Sequence, residues 1–218
     1  MTQERKVDIL QGLFITALIA ANLLGTKITT FWGVSVSVGI FAFPITFLVT
    51  DVIEEVLGKQ KSRNLILAGF TSLLLLLALT IISRVLPPST RYADNEAFLR
   101  IFNGSTRIIL ASLTAFVLSQ THDIWAFNFW RQKTKGRFLW LRNNLSTVVS
   151  QLIDTVIFMF IAFYLVTPQF DVAFLIQLII PYWLFKVLFA LIDTPLVYAG
   201  VAWLRNSVQP DNSSRNEQ

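Results

Sequence analysis

The chain contains no cysteine and only one histidine, His122. The first absence excludes disulfides, thiolate metal sites and cysteine nucleophiles. The second leaves no paired imidazoles to hold a metal. Neither a Gly-x-Ser-x-Gly elbow nor paired Gly-x-Gly-Asp and Tyr-Asp motifs are present, so hydrolytic chemistry has little to build on, and no cofactor is expected. Charge is also scarce: 14% of residues are charged and 54% are hydrophobic, against about a quarter charged in a soluble domain. Water is not this chain's main solvent. The net charge of +5 then reads as membrane topology rather than as a nucleic-acid surface.

What is present is apolar material in blocks of about 17 to 25 residues, the length that crosses a hydrocarbon core as helix. The expected fold is an all-α integral membrane protein with a bundle of six transmembrane helices. Hydropathy places the spans at Ile9–Gly25, Val36–Leu57, Leu65–Leu86, Ile108–Trp130, Leu145–Val166 and a long block over Val172–Leu204. The first is expected to be a retained span, since no Ala-x-Ala cleavage site follows it. In the last, Pro181 is expected to separate a short lead-in from a span starting near Trp183. Residues 1–206 form one domain on this reading, and the polar tail 207–218 is disordered.

With the N-terminus inside, twelve lysines and arginines fall in cytoplasmic segments and five in outer ones, so both termini are expected to face the cytoplasm. The outer segment Pro87–Thr106 carries Phe98, Ile101 and Phe102 at helical spacing, with Gly104 as a stop. It predicts a short amphipathic helix on the outer surface between helices 3 and 4. Ala20, Ala21 and Gly25 give a small-residue face of the kind on which two copies could pack as a homodimer.

Six acids lie within the spans, where each is costly unless it meets a partner or a polar cavity. Asp51, Glu54 and Glu55 sit toward the inner end of the second span, Asp123 in the fourth, Asp154 in the fifth and Asp193 in the sixth. Asp51 and Glu55 are one turn apart and suit pairing with Lys186 or with the basic loop Lys133–Arg142. Lys186 and Asp193 share a face two turns apart, which suits Lys186 as the counter-charge of an interior acid. Together these four make an expected charge network. Asn22 and Lys27 are candidate interior polar groups near the outer end of the first span.

Asp154 falls near the midplane of its span, and the cluster from Ser119 to Asp123 interrupts the fourth span just past its middle. Both are at the depth of transporter substrates. The pattern Ser-Gln-x-x-Asp occurs twice, as Ser119, Gln120 and Asp123 and again as Ser150, Gln151 and Asp154. At this spacing each glutamine shares a helix face with its aspartate. Two amide-plus-carboxylate pairs facing one interior suit a ligand edge rich in N–H donors beside a carbonyl, as in guanine. Phe43, Phe47, Phe127, Phe158 and Tyr182 are available for stacking.

These residues also resemble a family. Asp51-x-x-x-Glu55 with Gly58, Arg107-Ile-Ile-Leu-Ala-Ser112 leading to Ala115-Phe116 and Ser119-Gln120-x-x-Asp123, and Trp140-Leu-Arg142-Asn143-Asn144-x-Ser146-Thr147 through Gln151 and Asp154-Thr155 are similar to the queuosine precursor transporters. The resemblance spans about residues 20 to 204. The pattern departs from it at Leu57, an aromatic position in the family, and at the Glu54–Glu55 doublet. The resemblance implies uptake of 7-deazaguanine precursors, such as the 7-cyano and 7-aminomethyl bases, across the bacterial inner membrane. On this reading Gln151 and Asp154 read the guanine-like edge, Gln120 and Asp123 lie opposite, and Arg142, Asn143, Ser146 and Thr147 line the cytoplasmic approach. The competing readings are the substrate-capturing subunit of an ATP-driven vitamin importer and, further off, an intramembrane aspartyl enzyme.

Overall fold

The computed structural model describes residues 1–31, 33–133, 139–192 and 194–206. The side chains of residues 31, 120, 123–124, 127–128, 130–131, 139–147, 190–192 and 194 lie outside that description. Helix α1, Gln3–Leu24, starts at an N-cap where Thr2 Oγ1 accepts from the Arg5 amide at 3.5 Å. Two short antiparallel strands follow, β1 (Ile28–Phe31) and β2 (Val34–Ser37), in register from Ile28↔Ser37 to Phe31↔Val34. A 3₁₀ segment, Val38–Ala42, leads into α2, Phe43–Leu57. The expected second helix from Val36 is therefore a hairpin, a 3₁₀ turn and a 15-residue helix. Hydropathy registers apolar length alone, so it does not separate these states.

Gly58 joins α2 to α3 (Lys59–Val85) with φ of 83°, a left-handed backbone that glycine reaches without a Cβ penalty. Helix α4 runs Asn95–Lys133 without interruption. At 1.5 Å per residue it is about 58 Å long, well beyond a hydrocarbon core. The expected separate surface helix is thus the N-terminal part of α4, and Gly104 does not stop it. The glycine is there for space: a Cβ would meet Thr26 Cγ2 at 2.8 Å.

Helix α5 is Leu139–Phe163, α6 is Val172–Ile192 and α7 is Thr194–Arg205. Pro181 does not break the last apolar block. Pro181 lies inside α6, where a membrane helix tolerates the lost amide. Helix α7 is described from Thr194, and position 193 lies outside the described residues.

Among the described residues, four helices are long and apolar enough to cross a membrane: α1, α3, the Asn95–Ser119 part of α4 and the Val172–Phe189 part of α6. Val148–Phe163 of α5 is apolar but shorter. The surface matches such a solvent. Ile176, Ile180, Leu184 and Leu188 repeat every four residues along α6 and each is at least half exposed, whereas Lys186 on the same helix is 4% exposed. Apolar side chains outward and charge inward is the pattern expected in lipid.

Inside, α1, α2 and α3 pack through Phe14, Val49, Ile53 and Leu65, while Val7, Val52, Val201 and Leu204 join α1, α2 and α7. A larger cluster ties β2 and the 3₁₀ segment to α4, α5 and α6 around Ile40, Ile108, Met159, Leu178 and Tyr182. The small-residue face of α1 is used within the chain. Gly39 packs on it so closely that a Cβ would lie 2.8 Å from the Ala21 carbonyl oxygen. Two basic residues satisfy helix C-termini: Lys6 donates to the Trp203 and Asn206 carbonyls at the end of α7, and Arg107 donates to the Ile161 and Tyr164 carbonyls at the end of α5.

Candidate functional site

A cavity of about 350 Å³ opens between α1, α2, α3, α4, α5 and α6, within the size range of small-molecule sites. Its polar side is built on α5. Gln151 and Asp154 are three residues apart on one helix face and both line it. Asp154 Oδ2 accepts from Lys186 Nζ at 2.8 Å. Lys186 also donates to Thr155 Oγ1 at 3.3 Å, and its ammonium lies 4.9 Å from the Phe43 ring centre and 5.6 Å from that of Tyr182. The two rings meet edge to face at 5.7 Å. A carboxylate, a hydroxyl and two aromatic faces thus satisfy a lysine that is almost entirely buried.

The second carboxylate oxygen is less engaged. Ser119 Oγ reaches Asp154 Oδ1 only at 3.5 Å while donating to its own helix at the Phe116 carbonyl. The side chain is 30% exposed and lines the cavity. Across it stands Asn22 of α1, 3% exposed, whose Nδ2 donates to the Leu18 carbonyl at 2.9 Å. That bond fixes which end of the amide is which. The Asn22 Oδ1 is buried without a hydrogen-bond partner among the described residues. A buried acceptor left open in this way costs about 1–3 kcal/mol, a cost that a donor on a bound ligand would remove.

The two Ser-Gln-x-x-Asp segments meet as antiparallel packing requires. Ser119 of the first approaches Asp154 of the second, and Ser150 of the second lies 3.0 Å from His122 Nδ1 of the first. Gln120, Asp123, Arg142, Asn143, Ser146 and Thr147 lie on α4 and α5, but their side chains are outside the described residues, and Asp193 is outside them altogether.

The expected charge network lies only partly within the described residues. Lys186 is held by Asp154. Glu55 pairs with Arg205 at 3.5 Å, both side chains more than half exposed, an arrangement worth little in energy. Asp51 is likewise exposed, and neither Asp51 nor Glu55 is among the residues that line the cavity. Lys27 is exposed in the turn after α1 and is not an interior group. The sequence reading missed Thr46, Thr50 and Ser112, which also line the cavity. Serine and threonine in apolar helices usually bond their own backbone, as Thr46 does to the Phe43 carbonyl at 2.8 Å, so residue type alone does not mark them. Phe47, Phe70 and Phe116 form much of the apolar wall, against which a flat heterocycle could stack.

Residues 37–200 match the family described as "Putative vitamin uptake transporter". A "Probable queuosine precursor transporter" of Bacillus subtilis is 34% identical over 199 residues, covering 89% of this chain and 86% of the relative. The "Queuosine precursor transporter" of Escherichia coli is 29% identical over 192 residues, 88% of this chain and 84% of the relative. A "Probable queuosine precursor transporter" of Haemophilus influenzae is 29% identical over 180 residues, 83% and 71% respectively. No solved structure matches significantly.

Proposed function

This chain belongs to the vitamin uptake transporter family, and from that premise we propose that it imports a 7-deazaguanine precursor of queuosine across the bacterial inner membrane. The observation that carries the reading is the cavity itself. It offers a carboxylate whose second oxygen has only a long hydrogen bond from Ser119, Gln151 on the same helix face, and the Asn22 acceptor that has no partner among the described residues, all beside aromatic walls. The amino and ring N–H groups of a guanine-like base are donors that suit those acceptors, and a glutamine amide can both donate and accept. Gln120 and Asp123 complete the set from α4, and Arg142, Asn143, Ser146 and Thr147 line the cytoplasmic approach.

The chain makes six crossings in this reading. The hairpin, the 3₁₀ segment and α2 together make the second crossing, and α6 with α7 make the last. The two strands of the hairpin pair with each other, and Val36 and Ser37 at its end are buried against the helices. Both terminal segments then face the cytoplasm.

Uptake is measurable in cells unable to make queuosine, by following queuosine in transfer RNA after a precursor is supplied. Asp154→Asn, present in the membrane at normal level, is expected to lower labelling by at least about tenfold, since a lost charged hydrogen bond is worth about 1.5–3 kcal/mol. Full labelling by that variant would remove Asp154 from the site.

A further inference from the structure

A second hollow, of about 340 Å³, lies where the end of α3 meets the early turns of α4 and shares no lining residue with the central cavity. Ile81, Arg84 and Val85 line it from one face of α3, at positions i, i+3 and i+4, and Leu99 and Asn103 line it from α4, one turn apart. We propose that this hollow is a phospholipid site, with the lipid phosphate on the Arg84 guanidinium and the apolar part of the lipid against Ile81, Val85 and Leu99. It stands whether or not the chain carries a 7-deazaguanine.

Arg84 is the decisive group. Its Nη1 donates to Thr106 Oγ1 at 3.2 Å, and its Nε is buried with no hydrogen-bond partner among the described residues. Within the same residues it makes no ion pair, although Asp94 and Glu96 flank the first residue of α4. A full charge and a fork of N–H donors thus meet one neutral hydroxyl. A cation held so at the end of a membrane helix is costly until it meets an anion. Phosphate accepts two parallel N–H bonds from a guanidinium, which makes it the matching acceptor.

The rest of the hollow selects a lipid phosphate over a dissolved one. Val85 is 78% exposed and Ile81 42%. A phosphate ion gains nothing from covering them, whereas an acyl chain does. Depth agrees. The 27 residues of α3 extend about 40 Å, against about 30 Å of hydrocarbon and about 40–45 Å with the headgroups included. Arg84, next to last in the helix, therefore reaches the headgroup layer, and Ile81 lies one turn toward the hydrocarbon. Asn103 is exposed beside them and can bond the headgroup.

The test uses the full chain, stripped of lipid in a non-ionic detergent, and native mass spectrometry to count what binds. The probes are phosphatidylglycerol, glycerol phosphate, which has the phosphate without the chains, and diacylglycerol, which has the chains without the phosphate. One phosphatidylglycerol per chain should bind at least about tenfold more tightly than either of the others. Arg84→Gln should weaken that binding at least about tenfold, equivalent to about 1.4 kcal/mol. Val85→Glu, which sets a carboxylate in the hollow at an exposed position, should weaken it too, and Arg100→Gln, exposed and outside the hollow, should not. Equal binding of diacylglycerol would reduce the site to apolar packing, and equal binding of glycerol phosphate would make it a site for free anions; either result overturns the proposal on the wild type alone. Unchanged phosphatidylglycerol binding in Arg84→Gln, or in Val85→Glu if Arg84→Gln does not fold, would overturn it as well.

Discussion

Asp154 and Lys186 depend on each other unequally, because the amine is almost wholly buried and the carboxylate is 30% exposed. Asp154→Asn strands a buried cation and is expected to cost about 3 kcal/mol. Lys186→Met strands a carboxylate with some access to the cavity and should cost less. The double variant should recover most of the loss, and thermal unfolding in detergent reads all three. Strictly additive losses would show that the two groups are energetically independent. Asn22→Leu makes a different point. It removes a buried acceptor that has no partner among the described residues, so it should leave stability unchanged or raise it by about 1 kcal/mol while lowering uptake. A side chain kept at a cost to stability is kept for a ligand. Depth along the span pointed to Asp154, and its spacing to Gln151, both of which line the cavity. The partner of Lys186 was not legible, because spacing along one helix favours Asp193, whereas the packing of α5 on α6 decides the pairing.

At the level of elements, the apolar blocks were readable, and the ends and breaks of the helices within them were not. Gly104 and Pro181 are both expected breakers that lie inside continuous helices. Gly104 makes room for Thr26 and Pro181 is tolerated, so the sequence signal was real but its cause was packing. The hairpin had its own signal, the alternation Val34, Ser35, Val36, Ser37 after Gly33, which a hydropathy window averages away. Its placement rests on the contact between Gly39 and the Ala21 carbonyl, with Ser37 Oγ donating to the Gly25 carbonyl at 2.7 Å. Gly39→Val would push the 3₁₀ segment off α1 and is expected to cost about 2–3 kcal/mol. Since Phe43 follows that segment directly and faces Lys186, uptake should fall with stability. A lowered melting temperature with uptake unchanged would show that the hairpin and the cavity are mechanically separate.

For the whole molecule, the absence of cysteine makes topology directly measurable. Ser89→Cys should react with a membrane-impermeant thiol reagent in intact cells. Lys61→Cys should react only after the membrane is opened. Both side chains are exposed, so the opposite pattern would invert the proposed orientation, and reaction of both in intact cells would break the six-crossing count. The apolar stripe of α6 and the buried charge beside it explain why composition alone announced a membrane protein: exchanging the solvent exchanges which residues face it.

One contact links the two ends of the chain in space and separates them in time. Lys6 is buried against the Trp203 ring, 5.0 Å from its centre, and donates to carbonyls at the close of α7. A growing chain makes this lysine almost two hundred residues before the groups that receive it, so α1 is made with a charge whose acceptors do not yet exist. Until synthesis reaches α7, Val7 and Val52 also lack their cover from Val201 and Leu204. The last helix acts as a seal on biogenesis, and a ribosome that stops short of it releases a protein whose first helix has not been locked.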